Sequence, residues 1–239
     1  MANIDIEMSQ FANKTSLANN DYVVVSLENG TQGKIKVYDI ASVVAAINVQ
    51  SNIDLCSGGV YESVDLGLPS GTLWAKYNIG ATSESDYGDL FAWGATEPYR
   101  LNGTTPIDNT GNYASSYANK IQHDLYPNED AATVHWGKGW KMPTKAQFDE
   151  LLANTTDEWT AINGINGRKF TASNGKYIFF PAAGYVGGGS LYGRGSGGYY
   201  WSRSFHSSSR AWILNFNSSD RDVLTNSRNS GFSVRAVRG

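Results

Sequence analysis

The stretch Ala211-Trp-Ile-Leu-Asn-Phe-Asn217 places large apolar side chains at a period of two, and Arg221-Asp-Val-Leu-Thr-Asn226 follows it after Ser218-Ser-Asp220. A period of two marks a β-strand, because successive side chains leave opposite faces of the backbone. Two such runs joined by a short polar segment predict a hairpin. Trp212, Leu214 and Phe216 are expected on its core face, with Val223 and Thr225 opposite them. Ile213, Asn215 and Asn217 are expected on the other face, with Asp222 and Leu224. The C-terminal part must therefore fold as sheet, even though residues 199–234 are dominated by serine, asparagine and arginine. Trp201, Leu214, Phe216, Val223, Phe232 and Val234 are the residues expected to anchor it. Each buried side chain of that size contributes about 1.5–3 kcal/mol.

The rest of the chain divides by texture. Tyr22–Leu27 and Lys34–Tyr38 read as strands around a Glu28–Gly33 turn, and Asp39 can cap a helix with Ile40, Val43, Val44 and Ile47 on one face. That segment, 1–50, reads either as an extension packed on the main domain or as an attachment module that oligomerises through the Ile40–Ile47 face. Residues 51–60 read as a linker, and residues 61–239 as one domain. Within it, about 95–130 is expected as long loops, which in compact domains are often functional. Thr144-Lys-Ala-Gln147 fits a capping box opening a helix whose buried stripe is Phe148, Leu151 and Leu152. Short strands are expected at 169–171, 176–181, 199–204, 211–217, 221–226 and 231–237. The class is α+β, mostly antiparallel.

Composition narrows the function. The net charge of −3 among 239 residues provides no basic field for nucleic acid. No apolar run approaches the length of a bilayer-spanning helix, so no membrane insertion is expected. The opening MANIDIEMSQ lacks the pattern of a signal peptide, so the sequons at Asn13, Asn29, Asn102, Asn154 and Asn217 are read as unused. The single cysteine, Cys56, excludes an intrachain disulfide and a multi-cysteine zinc site. Gly193-Arg-Gly-Ser-Gly-Gly198 satisfies G-x-G-x-x-G but leads into the strand Tyr199-Tyr-Trp201, not into a helix that could hold a pyrophosphate. His123–Asp130 could supply oxygen ligands to calcium. It reads instead as a loop in which Asp130 caps a short turn, and neither metal nor cofactor is expected. No acid, base and nucleophile come together, so no catalytic residue is assigned.

Several ordered motifs carry a resemblance. "VDLGLPSGTLWAKYNIGA", "YGDLFAWGATEPY", "DAATVHWGKGWKMPTKAQFDELL", "FFPAAGY" and "GYYWSRS…GFSVRAVRG" together resemble a C-type-lectin-like domain family abundant in gut Bacteroidetes and their phages. Formylglycine-generating enzymes share that fold but use cysteines that this chain lacks after Cys56, so their activity is not expected here. A subset of the fold serves as variable proteins of diversity-generating retroelements, in which adenines near the 3′ end of the gene are mutated. "ANNDYVVVSLENGTQGKIKVYDIASVV" is similar to the N-terminal segment of some phage tail-fibre proteins.

The resemblance implies a diversified region at about 199–234. Between Tyr199 and Val234 there is no Lys, Glu, Gln or Met, although these make up 26 of the 239 residues. Asparagine codons cannot become any of the four when only adenines change. The expected display face has Tyr200, Arg203, Phe205, His206, Arg210, Ile213, Arg221 and Leu224 as its energetic centre. Ser207, Ser208, Ser209, Ser218 and Ser219 add adaptable hydrogen bonds, and Asn215, Asp220, Asp222, Asn226, Ser227 and Asn229 complete it. The expected partner is a cell-surface protein or glycan receptor, bound without catalysis by a homotrimer on a phage tail virion. The alternative is a lectin domain of fixed specificity on a bacterial cell surface.

Overall fold

The computed structural model describes residues 61–106, 120–137 and 139–239, together with strand backbone at 4–6, 22–27, 32–36, 54–56 and 59–60. The chain forms two compact units, Met1–Val60 and Tyr61–Gly239. In the first, β1 (Ile4–Ile6), β2 (Tyr22–Leu27) and β3 (Gln32–Lys36) make an antiparallel sheet with β2 in the middle. The β-branched run Val23-Val-Val25 suits that central position. The expected linker carries a strand pair, β4 (Asp54–Cys56) with β5 (Gly59–Tyr61). The helix expected at Asp39–Ile47 lies outside the described residues.

In the second unit, β6 (Ser63–Asp65) and β7 (Leu73–Ala75) pair across a turn closed by Gly71 N–H donating to Leu68 O at 2.9 Å. Gly71 has φ 73°, the left-handed region that glycine enters without strain. After β8 (Leu90–Phe91) come the small pair β9 (Leu101–Asn102) and β10 (Thr105–Pro106). Helix α1 (Ala131–Trp136) and helix α2 (Lys145–Asn154) follow. A meander of β11 (Thr155–Ile162), β12 (Ile165–Ala172) and β13 (Tyr177–Pro181) leads to the hairpin β14 (Tyr185–Gly187) and β15 (Ser190–Tyr192).

The chain then lays down β16 (Gly197–Phe205), β17 (Arg210–Asn217), β18 (Arg221–Ser227) and β19 (Phe232–Ser233). With β8 these form a five-stranded sheet in the order β18-β17-β16-β19-β8. Finally β20 (Val237–Arg238) pairs with β7, so the end of the unit closes against its beginning. The architecture is β-rich α+β.

The capping box at α2 is complete: Thr144 Oγ1 accepts from Gln147 N–H, and Gln147 Oε1 accepts from Thr144 N–H. Phe148 and Leu151 are fully buried beneath it, and Leu152 is partly buried. Asp130 caps α1 and also accepts from Met142 N–H.

The five-stranded sheet has core on both sides. On one side Leu214, Phe216 and Tyr200 pack with Trp74, Phe148 and Phe180. On the other Ala211, Ile213 and Trp201 pack with Trp93, Trp136 and Phe232. The expectation of one buried and one open face is therefore corrected at the centre of the sheet, where flanking loops and helices cover both. A cation, Arg235, and a phenol, Tyr200, lie in this interior. Arg235 donates to Asn78 Oδ1 at 2.9 Å and to the carbonyls of Ala75, Lys76 and Phe179 at 2.8–3.1 Å, with its guanidinium 4.5 Å from the Phe180 ring. Burial pulls it down to about 10. Tyr200 donates to Pro181 O at 2.7 Å, and burial pushes its phenol up to about 12, opposed by the Arg235 charge.

Replacing Arg235 by methionine leaves Asn78 Oδ1 and three buried carbonyls without their donor. Each orphaned acceptor costs about 1–3 kcal/mol, so urea unfolding should show Arg235→Met destabilised by more than about 3 kcal/mol. Arg235→Lys should recover only part of that, because an ammonium cannot reproduce the planar fork.

Candidate binding surface

Strand β18 is one edge of the five-stranded sheet, the other being β8. It pairs only with β17, in the register Arg210↔Ser227 through Phe216↔Arg221. Its seven residues span roughly 20 Å at the usual strand rise. Each end of the β17–β18 pair carries a polar turn, and these turns hold most of the sequence-derived site residues.

At one end His206, Ser208, Ser209 and Arg210 are exposed and Ser207 is partly exposed. This loop is held by its own bonds. Ser207 N–H donates to Arg210 O at 3.0 Å, and Arg210 N–H donates to Ser207 Oγ at 3.2 Å. The Arg210 guanidinium donates to Thr225 Oγ1 and Thr225 O. Beneath the loop Arg228, which carries no exposed surface, donates to Arg210 O and Ile121 O. Its guanidinium lies 4.2 Å from the Trp93 ring and 5.1 Å from the Phe205 ring. Burial pulls it down to about 10. Asn226, Ser227 and Asn229 adjoin this end, with Ser227 and Asn229 exposed.

At the other end Ser218, Ser219 and Asp220 are exposed. Asn217 Oδ1 accepts from Ser219 N–H at 2.7 Å and Asp220 N–H at 2.9 Å, an Asx turn that shapes the tip. Asp157 of β11 forms ion pairs with both Arg168 of β12 and Arg221, fixing this turn to the meander. Arg168 also donates to Asn217 O at 2.8 Å. Arg221 is thus partly exposed and already engaged with a carboxylate.

Between the two turns, Asp222, Leu224 and Asn226 project on one side of β18. Asp222 is exposed, while Leu224 and Asn226 are partly buried. Leu224 leans on the core beside Ile213, and Val223 leans on the opposite core beside Leu214. Asn215, across from Asp222, is partly buried next to Tyr199 and donates to Gly198 O at 3.4 Å. Burial raises the Tyr199 phenol, the nearby Tyr185 adds to this, and Asn215 opposes it.

Two sequence-derived assignments need correction. Tyr200 and Ile213 have no exposed surface and cannot touch a ligand. Tyr200 points into the α2-side core, and Ile213 lies under the loops on the other side. Arg203 is partly buried and donates to Leu125 O, away from the β18 edge. Phe205 is partly buried, with its ring against Arg228. Conversely, Trp212 was expected in the core. It shares the face of Leu214 but sits at the strand end, half-exposed, with His206 at 5.1 Å and the Lys145 ammonium at 4.9 Å. Alternation identified its face correctly but could not show where the cover of α2 ends.

The surface is therefore a ridge: an edge strand and two structured turns, rich in hydroxyls, amides and charges. Among the described residues no group of three or more His, Cys, Asp or Glu side chains could hold a metal ion. No helix among them is long and apolar enough to cross a membrane. Residues 152–237 match a family described as a domain of unknown function (DUF8237). The match covers about a third of the chain and contains the whole ridge. No curated protein and no solved structure matches the chain.

Ile213→Ala opens a cavity between packed aromatic residues and should cost about 2–5 kcal/mol in chemical denaturation. Asp222→Ala, on the exposed edge, should change stability by no more than about 0.5 kcal/mol. Equal effects of the two would contradict the burial described above.

Proposed function

We propose that the Tyr61–Gly239 unit is a C-type-lectin-like domain serving as the variable, receptor-binding protein of a diversity-generating retroelement, without catalytic activity. The observation that carries this reading is the meeting of two patterns in residues 199–234. The window lacks Lys, Glu, Gln and Met. Its exposed positions, His206, Ser208, Ser209, Arg210, Asn217, Ser218, Ser219, Asp220, Asp222, Ser227 and Asn229, are all residues that asparagine codons encode or that adenine mutation of them can produce. Its large buried residues lie in the two cores. A ridge of this kind can change its side chains while Trp201, Leu214, Phe216 and Phe232 keep the sheet in place.

The ligand in this reading is a protein or glycan receptor on a bacterial surface, and the carrier is a phage tail. Trimerisation through the Met1–Val60 unit would convert modest single-site affinity into avidity on a repetitive surface. Serine-rich turns adapt their hydrogen bonding to many partners, and Arg210 and His206 supply larger contacts. A ridge with two turns has the extent to cover a standard interface of about 800 Å² per partner.

The test replaces Arg210, Asp222 and Asn229 together by alanine. Binding to host cells, measured by flow cytometry with labelled protein, should be lost. The melting temperature should fall by no more than about 4 °C. Unchanged cell binding by the triple variant would refute the assignment of the ridge.

A further inference from the structure

Two adjoining cavities, of about 300 Å³ and about 320 Å³, meet at Lys141 and Arg203. The first is walled by Pro127, Asp130, Thr133, Lys141 and Arg203. Asp130 is 1% exposed, and its carboxylate is already occupied: Oδ1 accepts from Thr133 N–H at 3.0 Å, and Oδ2 accepts from Met142 N–H at 2.9 Å. Arg203 uses one guanidinium nitrogen on Leu125 O at 2.8 Å, and its Nε lacks a partner. Among the described residues neither Lys141 nor Arg203 has an ion-pair partner within 4.0 Å. The cleft thus presents two cations against one carboxylate, Asp130, which acts on Arg203 electrostatically but spends its hydrogen bonds on backbone N–H groups, so one positive charge is left to be balanced.

We propose that this cleft binds a carboxylate carried by a ligand of about monosaccharide size. The guanidinium fork matches the two oxygens of a carboxylate, and Lys141 adds a point charge beside it. A volume near 300 Å³ is at the lower limit for small-molecule sites, which sets the size. Thr133 Oγ1, which donates to Trp140 O at 2.8 Å, retains acceptor capacity for a ligand hydroxyl. The second cavity, beyond Lys141, leaves room for a neighbouring unit of a longer ligand. The site is lined by none of the exposed β18-ridge residues, and Lys141 lies outside the 199–234 window while Arg203 lies within it.

The test is a protein-observed NMR titration of the full chain with D-glucuronate, with D-glucose and inorganic sulfate as comparisons. Glucuronate should shift the resonances around Lys141 and Arg203, and glucose should not. Lys141→Ala and Arg203→Gln should each weaken glucuronate binding by about tenfold or more. Lys141→Ala, an exposed side chain, should leave the melting temperature unchanged. Absence of glucuronate binding, equal binding by Lys141→Ala or equal binding of glucose overturns the proposal. Sulfate binding as tightly as glucuronate also overturns it, because the cleft then recognises charge alone. Cell binding by the ridge variant is read separately, so either proposal can fail while the other stands.

Discussion

The guanidinium of Arg235, carried on the run into β20, sits where β7, the segment around Asn78 and strand β13 converge, and its acceptors come from each of these three. Among the described residues no carboxylate forms an ion pair with it, and Glu84 acts on it only at longer range. The Arg235 charge is spread over three backbone carbonyls, one amide oxygen and the face of Phe180. Such an arrangement has little freedom, because each N–H of a planar fork has one geometrically suitable acceptor. Tyr200 of β16 is drawn into the same group, accepting from Asn78 Nδ2 at 3.2 Å while donating to Pro181 O. The centre of the five-stranded sheet is thereby tied to the closing strands of the unit. Everything farther out, β17 and β18 above all, is built on that fixed middle.

A second buried arginine acts nearer the surface. Arg228 holds the backbone of Arg210 and Ile121 from below and is clasped by Trp93 and Phe205. At the far turn the ion pairs of Asp157 with Arg168 and Arg221 do similar work. The two turns therefore owe their shape to backbone hydrogen bonds, to the side chains of Ser207, Arg210 and Asn217, and to residues beneath them. Most of the side chains facing solvent contribute little to that shape. A surface of this kind tolerates replacement of its outward side chains at small energetic cost, as a binding face exposed to repeated change requires.

Local patterns in the sequence were informative where one interaction decides the outcome. The Thr144/Gln147 capping box, the Asp130 cap and the β17–β18 hairpin all follow from residues a few positions apart, and all are present. Strand β11 was not expected, since Thr155–Ile162 has no clean alternation and owes its place to pairing with β12. Ile213 shows the other limit. Period-two alternation separates two faces of a strand but does not say how many layers cover each. Tyr200 was misplaced for the same reason. Arg228 and Arg235 look like ordinary exposed arginines in sequence, and only the aromatic rings and carbonyls brought together from distant segments make them interior residues.

The account rests on a division within residues 199–234 between side chains that hold the sheet and side chains that are free to differ. A saturation substitution library across residues 199–235, sorted for folded protein by protease resistance and then sequenced, measures that division directly. Positions 200, 201, 213, 214, 216, 228, 232 and 235 should reject nearly all replacements, and positions 206, 208, 209, 218, 219, 222 and 229 should accept most of them. Broad tolerance at Ile213, Arg228 and Arg235, or strict rejection along the exposed turns, would contradict it.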